Sequence, residues 1–169
     1  MHWPGTLSGN LADRKENQPL NDAAVVVRKV FPASRERLFR AWSDPQELIE
    51  WFSPEGFRNP SVEADVHSGG TFRIAMQKLP DGEPFFVSGR YRSVEPPSRL
   101  VFTWTWEDPA EKVRDTLVTV EFLEREAGTE IVLTHELLPE ERRDSHAQGW
   151  EALLSKLQET IDRETEGEQ

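Results

Sequence analysis

The sequence predicts an α+β fold in which a curved antiparallel sheet lies against a long C-terminal helix. From about residue 61 to residue 136, short segments of alternating apolar and polar residues are separated by turn sequences, as in an antiparallel meander. From about Glu140 onward the apolar residues recur instead at i, i+3, i+4, i+7 and i+11, which is the pattern of an amphipathic helix. These two patterns indicate the fold class.

Composition excludes several classes of protein. The 169 residues include 20 Lys and Arg against 31 Asp and Glu, a formal charge of −11 that repels nucleic-acid phosphates, so we expect no nucleic-acid partner. There is no cysteine, which excludes disulfides and thiolate sites and favours a cytoplasmic location. No apolar run approaches the roughly 20 residues needed to cross a bilayer, and the N-terminus lacks a signal-peptide pattern. We therefore expect neither membrane insertion nor secretion.

The chain divides into one domain and two tails. Residues 1–22 are rich in Gly, Asn, Pro and charge, and their apolar residues are too scattered to form a face, which predicts a flexible N-terminal tail. Residues 163–169 carry Glu164, Glu166 and Glu168 around Gly167 and are predicted to be a fraying acidic tail. Residues 23–162 form the predicted domain, and a chain of this length is expected to bury one sizeable core.

A strand and two short helices open the domain. The β-branched run AAVVVRKVF, which Pro32 ends, predicts a strand. Ser34 is a suitable N-cap for a first helix. Asp44 is followed by Pro45 and, three residues after Asp44, by Glu47, so a cap, a first-turn proline and a capping-box acid together predict a second helix. The first helix turns an apolar face inward, made of Leu38, Phe39 and Trp42.

Alternation along the following strands assigns their inward side chains. They are Phe72, Ile74 and Met76, then Leu100, Phe102, Trp104 and Trp106, then Val118, Val120 and Phe122, and finally Ile131, Leu133 and His135. The apolar stripe of the long helix, which is about 35 Å long at 1.5 Å per residue, is Trp150, Leu153, Leu154, Leu157 and Ile161. One face of the sheet is therefore apolar and aromatic, and the helix is long enough to cover it.

Five stretches of the chain resemble a known family. They are FPASRERLFRAWSDPQELIEWF, VEADVHSGGTFRIAM, VSGRYRSVEPPSRLVFTW, GTEIVLTHE and HAQGWEALLSKL. In this order they are similar to the homologues of the activator of heat-shock protein 90 ATPase, within the START-like (SRPBCC) superfamily of polyketide cyclases and the birch pollen allergen. The resemblance covers about residues 24–161. It implies the helix-grip fold with the element order β-α-α-β6-α and a ligand cavity between the sheet and the C-terminal helix.

The aromatic content favours a binding cavity. The chain has six Trp and nine Phe, and large rings either fill a core or wall a pocket, so both interpretations stay open for each ring. In the helix-grip arrangement the inward-facing rings and the helix stripe are expected to wall an apolar cavity. The predicted lining is Trp51, Phe52, Phe72, Ile74, Met76, Tyr91, Phe102, Trp104, Trp106, His135, Trp150, Leu153, Leu154 and Leu157.

No set of residues predicts catalysis. On one interpretation His135 orients a ligand or exchanges a proton. On the other it is a core histidine bonded to a backbone carbonyl or a helix side chain. His146, one turn before Trp150, is predicted to lie beside His135. The Tyr91 hydroxyl either anchors a ligand or reaches the rim. Because His135, Glu136 and His146 lack the spacing of a zinc motif and cysteine support, we predict no metal and no cofactor.

The sequence therefore predicts binding or sequestration of an apolar small molecule, a lipid, polyketide or aromatic compound, without evident catalysis. Two alternatives stay open. A protein-interaction module related to co-chaperones would have a protein partner, a filled interior and an exposed apolar patch. A cyclase- or dehydratase-type enzyme would fold a flexible substrate in the cavity, and His135 or Tyr91 would transfer protons.

Overall fold

The structure, a computed structural model, describes residues 24–167, and the predicted N-terminal tail, residues 1–22, lies outside the described residues. A strand and two helices come first: β1 (Val25–Phe31), α1 (Arg35–Ser43) and α2 (Pro45–Trp51). Seven strands follow: β2 (Phe57–Arg58), β3 (Val62–Ala64), β4 (Thr71–Lys78), β5 (Phe85–Glu95), β6 (Arg99–Trp106), β7 (Thr116–Arg125) and β8 (Gly128–Glu136). A 3₁₀ turn, Glu140–Arg142, leads into the long helix α3 (Arg143–Gly167).

The strands form one antiparallel sheet in the order β1-β8-β7-β6-β5-β4, and β4 then pairs with both β2 and β3. The register aligns the inward-facing side chains of neighbouring strands. Val27 pairs with Leu133, Leu133 with Val120, and Val120 with Leu100, so one buried apolar row crosses four strands. The predicted α+β helix-grip fold, with its meander and long C-terminal helix, is confirmed.

The strand count differs by one from the predicted order, because the first strand after the helices is broken into β2 and β3. Both pieces pair with the same edge of β4. Pro60, between them, has no backbone N–H to donate to the ladder. The Asn59 side chain closes the gap instead, since its Nδ2 donates to the carbonyls of Phe52 at 2.9 Å and Ala75 at 3.0 Å.

The two short helices share a junction at Asp44. Ser34 and Asp44 cap α1 and α2 with their side chains, as predicted. The expected capping-box role of Glu47 is wrong, because the backbone N–H of Asp44 already donates to the carbonyl of Arg40 at 2.9 Å. The Glu47 carboxylate instead pairs with Arg37 and Arg40, each at 2.8 Å. The acid therefore links the two helices through side chains.

Helix α3 crosses the inner face of the sheet. Its predicted stripe is buried: Trp150, Leu153, Leu154, Leu157 and Ile161. The helix continues to Gly167, past the predicted start of the acidic tail at Arg163. Arg37 of α1 explains this extension, because its Nε donates to Glu164 Oε2 at 3.0 Å and holds the last turns against α1. Within residues 24–167, none of the helices combines the length and the apolarity that crossing a membrane requires.

Gly89 of β5 allows the Phe72 ring and the backbone of β6 to lie closer to β5 than a residue with a side chain would permit. It pairs with Phe72 of β4. A Cβ at this position would lie 1.9 Å from the carbonyl oxygen of Thr103 and 2.6 Å from the Phe72 ring. The ring of Phe72 therefore lies directly against the backbone of β5, and β5 lies against β6.

We predict that Gly89→Ala destabilises the protein by at least about 2 kcal/mol, because the methyl group meets backbone and a packed ring that cannot both move away. Urea denaturation monitored by tryptophan fluorescence measures this. Arg92→Ala, on the same strand but exposed on the other side of the sheet, is the control and should change the free energy of unfolding by about 0.5 kcal/mol or less. Equal stability of Gly89→Ala and wild type would contradict this account of the sheet.

Candidate functional site

The space beneath α3 is filled by aromatic rings. Trp150 of α3 packs on Trp104 of β6 with ring centroids 4.8 Å apart, and Trp104 contacts Trp106 at 5.4 Å and Phe52 at 6.1 Å. Most of the predicted cavity residues are buried in this dense core. They are Trp51, Met76, Trp104, Trp106, His135, Trp150, Leu153, Leu154 and Leu157.

A small apolar cavity lies beside this core, between α1, α2 and strands β4 to β6. Its volume is about 20 Å³, which is room for about one water molecule. It is far smaller than the roughly 300–1,000 Å³ of typical sites for drug-sized ligands. Seven residues line it: Trp42, Leu48, Phe52, Phe72, Ile74, Tyr91 and Phe102. All of them except Trp42 and Leu48 were predicted. We call this space the α2 cavity.

Sequence reasoning missed Trp42 and Leu48 as lining residues. The predicted lining came from the strands, the end of α2 with the following Phe52, and the long helix, and it took no residue from α1. The α2 cavity is closed on one side by α1 and α2. The helical spacing had already placed Trp42 on the inward face of α1, and that signal could have added it. How the two short helices lie on the sheet is not encoded in their periodicity.

Two polar groups border the α2 cavity without a partner in the described part of the chain. Trp42 is 2% exposed, and its indole Nε1 is buried and makes no hydrogen bond. Tyr91 is 4% exposed, and none of the hydrogen bonds among the described residues involves its hydroxyl. Burial raises the pKa of Tyr91 far above the ordinary value for a phenol, and the charge of Asp65 raises it further. The hydroxyl is therefore protonated at neutral pH.

His135 and His146 are neighbours, as predicted, with ring centroids 5.5 Å apart. An indole N–H can only donate, so the ring nitrogen that it contacts must be an acceptor. Trp150 Nε1 donates to His135 Nδ1, and Trp106 Nε1 donates to His146 Nε2, both at 2.9 Å. The proton of His135 is consequently on Nε2, from which it is donated to Thr116 Oγ1 at 2.8 Å.

This network makes His135 a neutral core residue. Both of its ring nitrogens are occupied, and it does not border the α2 cavity. Burial lowers the pKa of His135 well below its ordinary value, and the neighbouring His146 lowers it further. The arrangement agrees with the core interpretation, in which a helix side chain holds the ring, and leaves no proton to exchange with a ligand.

A polar groove of about 760 Å³ lies on the outer face of the sheet, across β3 to β6. We call it the outer groove. Arg73, Arg90 and Arg92 line it together with Glu63, Asp65, Asp115 and several hydroxyl side chains. Arg73 is held by Glu107, with Nε at 2.9 Å from Oε2, and Arg90 donates to the carbonyl of Gly69 at 3.0 Å. The sequence shows these residues alternating outward, but the concavity itself comes from the bend of the sheet.

No metal centre is formed within residues 24–167, since no three His, Asp or Glu side chains there lie close enough to hold an ion. The described residues form two candidate sites of contrasting character. The α2 cavity is uncharged and aromatic, and the outer groove is charged and open to solvent.

Comparison with known proteins gives a consistent family match. The family model described as "Activator of Hsp90 ATPase homolog 1-like protein" matches residues 32–162. The crystal structure of the AHSA1 protein from Silicibacter pomeroyi is 30% identical, covers 84% of this chain and 99% of its own, and has a TM-score of 0.72. No curated protein matches the sequence.

Two further solved structures are similar in fold. A protein from Chromobacterium violaceum is 25% identical, covers 82% of this chain and 96% of its own, and has a TM-score of 0.76. The solution structure of an AHSA1-like protein from Aeromonas hydrophila is 20% identical, covers 84% of this chain and 94% of its own, and has a TM-score of 0.73.

We predict that stability falls as the pH is lowered below about 6.5. His135 stays neutral in the fold, whereas in the unfolded chain it takes up a proton below about pH 6.5. The unfolded state then binds more protons, so the free energy of unfolding decreases by about 1.4 kcal/mol per pH unit for this group. Urea denaturation at pH 7.5, 6.5 and 5.5 measures the slope.

Two variants separate the contribution of His135 from that of the exposed His67. His135→Gln keeps a neutral group that can accept and donate, and should show a shallower slope than wild type over this range. His67→Gln alters an exposed histidine beside Asp65 and should retain the destabilisation at low pH. An unchanged slope in His135→Gln would show that this ring does not resist protonation in the fold.

Proposed function

This chain belongs to the activator of Hsp90 ATPase homolog 1-like family, and we propose that it binds a small apolar or aromatic molecule in the α2 cavity. The observation that carries the proposal is an uncharged cavity, in a core that is otherwise dense, whose lining includes Tyr91 and the side chain of Trp42, a buried indole N–H without a partner among the described residues. The START-like fold of the family is consistent with ligand binding.

The wall of the α2 cavity suits an apolar ligand. None of the seven lining residues is charged, and four of them are Trp or Phe. A ligand that enters leaves water, which contributes about 25 cal/mol for each Å² of apolar surface buried. Flat rings in the wall favour an aromatic ligand, because offset and edge-to-face ring contacts add about 0.5–1.5 kcal/mol per pair.

Entry of a ligand requires the α2 cavity to widen. One wall is α2, a helix of only seven residues, followed by Phe52 in a non-helical conformation at its C-cap. A helix this short is held by its tertiary contacts and not by its own stability. We propose that movement of α2 and the Phe52 ring away from the sheet enlarges the cavity, while β4 to β6 stay in place.

We propose that the ligand is bound and is not chemically changed. Tyr91 is the one lining residue with an ionisable group, and its raised pKa keeps it protonated at neutral pH. His135, the other candidate for proton transfer, lies outside the cavity lining with both nitrogens bonded. The cytoplasmic location inferred from the lack of cysteine stays a prediction.

We predict that indene, a small aromatic hydrocarbon, raises the melting temperature of the wild-type protein and that Ile74→Phe abolishes this effect. The larger side chain fills the α2 cavity from β4. Differential scanning fluorimetry and isothermal titration calorimetry measure the stabilisation and the affinity.

Ile131→Phe is the matched control, because Ile131 also points inward from the same sheet but lies outside the cavity lining. It should cost about 1–3 kcal/mol by overpacking a dense region and still respond to indene. Ile74→Phe should cost less, since it has space to occupy. The proposal fails if wild type and Ile74→Phe respond to indene alike.

A second candidate function is a protein-interaction module. The small volume of the α2 cavity favours it, because the interior is filled nearly everywhere along α3. The outer groove offers a charged surface on which three arginines alternate with three carboxylates, and its Arg92 is exposed. The matching family is described by the ATPase of Hsp90. On this proposal Arg92 of the outer groove contacts an acidic group of that chaperone.

We predict that, if this second candidate is correct, the protein accelerates the ATPase of purified Hsp90 and Arg92→Glu lowers the acceleration at least about fivefold, because the reversed charge repels an acidic partner. A coupled ATPase assay measures the rate. Arg58→Glu, an exposed arginine outside the outer groove, is the matched control and should leave the rate unchanged. Ile74→Phe should also leave it unchanged, which separates the two candidate functions.

A further inference from the structure

The indole N–H of Trp42 differs from those of three other tryptophans in the core. Trp51 donates to a backbone carbonyl at 3.0 Å, and Trp106 and Trp150 each donate to a histidine at 2.9 Å. The fold thus supplies an acceptor for each of these three buried indoles. Trp42 is as deeply buried, at 2% exposure, and its Nε1 has no acceptor within residues 24–167.

The ring contacts of Trp42 among the described residues are aromatic. Its ring packs on Trp51 at 4.9 Å, Phe52 at 6.0 Å and Phe122 at 6.4 Å, all of them aromatic hydrocarbon surfaces. A buried donor left unpaired costs about 1–3 kcal/mol. The α2 cavity is space that this side chain borders, so an occupant of that cavity is positioned to supply the missing acceptor.

Tyr91 adds a second donor from the sheet side of the same cavity. Its hydroxyl has no partner within the described residues, and it is protonated at neutral pH for the reason given above. Two side chains that carry a donor, one from a helix and one from a strand, therefore line one apolar space. A purely hydrocarbon occupant offers neither of them an acceptor.

The charge of the occupant is limited by the same wall. No Lys or Arg side chain lines the α2 cavity, so a carboxylate would lose its hydration without gaining a counterion. This condition excludes an anionic acceptor and leaves a neutral one.

We infer that the α2 cavity selects neutral aromatic molecules that carry a carbonyl or ether oxygen, such as a ketone, quinone or lactone, and that Trp42 and Tyr91 donate to this oxygen. This inference rests on the proposed binding function and names the ligand class. Fatty acids and other carboxylates are excluded by it, and plain hydrocarbons are the weaker ligands.

Three probes of nearly equal size test the inference on the full chain: indene, 1-indanone and indane-1-carboxylate at pH 7.5. Calorimetry measures their affinities, and the indole N–H resonances in ¹H–¹⁵N spectra of the wild type report hydrogen bonding. We expect 1-indanone to bind about tenfold tighter than indene, the worth of one buried hydrogen bond. The Trp42 N–H resonance should move downfield with 1-indanone, beyond the ring-current shift that bound indene causes, and the carboxylate should not bind.

Trp42→Phe and Tyr91→Phe remove one donor each and keep an aromatic ring. Each should reduce the preference for 1-indanone over indene by about threefold or more, while the affinity for indene stays within about twofold. Trp51→Phe is the matched control, because the N–H of Trp51 is already bonded to Ala41 and should keep the full preference. Tyr91→Phe is the smaller change and keeps the test available if Trp42→Phe does not fold.

The outcomes separate the inference from the proposed function. Equal affinities of indene and 1-indanone in wild type, or tightest binding of the carboxylate, overturn the inference and leave binding in the α2 cavity intact. Absence of binding by all three probes overturns the proposed function, and the inference with it. A preference for 1-indanone that survives in both Trp42→Phe and Tyr91→Phe shows that other groups supply the donors, which also overturns it.

Discussion

The contact between Trp150 and Trp104 determines how α3 lies in the sheet. The rings pack 4.8 Å apart at full burial, and the indole of Trp150 also donates to His135 of β8. One helix side chain is therefore fixed to two strands, through an apolar contact on β6 and a hydrogen bond on β8. Because the hydrogen-bonded geometry is directional, this contact sets the rotation of the helix as well as its distance from the sheet.

The remaining free volume follows from that contact. With the centre of the sheet closed by Trp104 and Trp150, the described apolar cavity lies where the short helices α1 and α2 cover β4 to β6. Here the packing depends on short elements and a loop, and α3 contributes no residue to the lining of the α2 cavity. The side chain of Trp42 lines the same cavity. The fold supplies an acceptor for the indole N–H of Trp51, Trp106 and Trp150, whereas no described residue accepts from Trp42.

The α2 cavity and the outer groove are separated by one layer of sheet. Phe72 lines both of them, and its ring lies against the backbone of Gly89, which also borders the outer groove. The two candidate functions thus use opposite faces of the same pair of strands. A side chain at Gly89 would displace Phe72 from both, so the close approach of β4 and β5 is a condition for either site.

Much of this protein was determined by the sequence alone. Alternation identified the buried rows of β4, β6, β7 and β8, helical spacing identified the stripe of α3, and Ser34 and Asp44 marked the starts of α1 and α2. These are local properties, because the period of a strand or helix decides which side chains point inward. The neighbouring positions of His135 and His146 followed from the family fold.

Only the tertiary structure decided how tightly the apolar faces close. The sequence placed rings such as Trp104 and Trp150 inside, but whether they wall a cavity or fill it depends on the summed volumes of side chains from distant segments. The same holds for the unpaired N–H of Trp42 and for the protonation of His135 Nε2, since both depend on which groups of other elements come within hydrogen-bond reach. Periodicity reports the direction of a side chain, and distances between elements are set by packing.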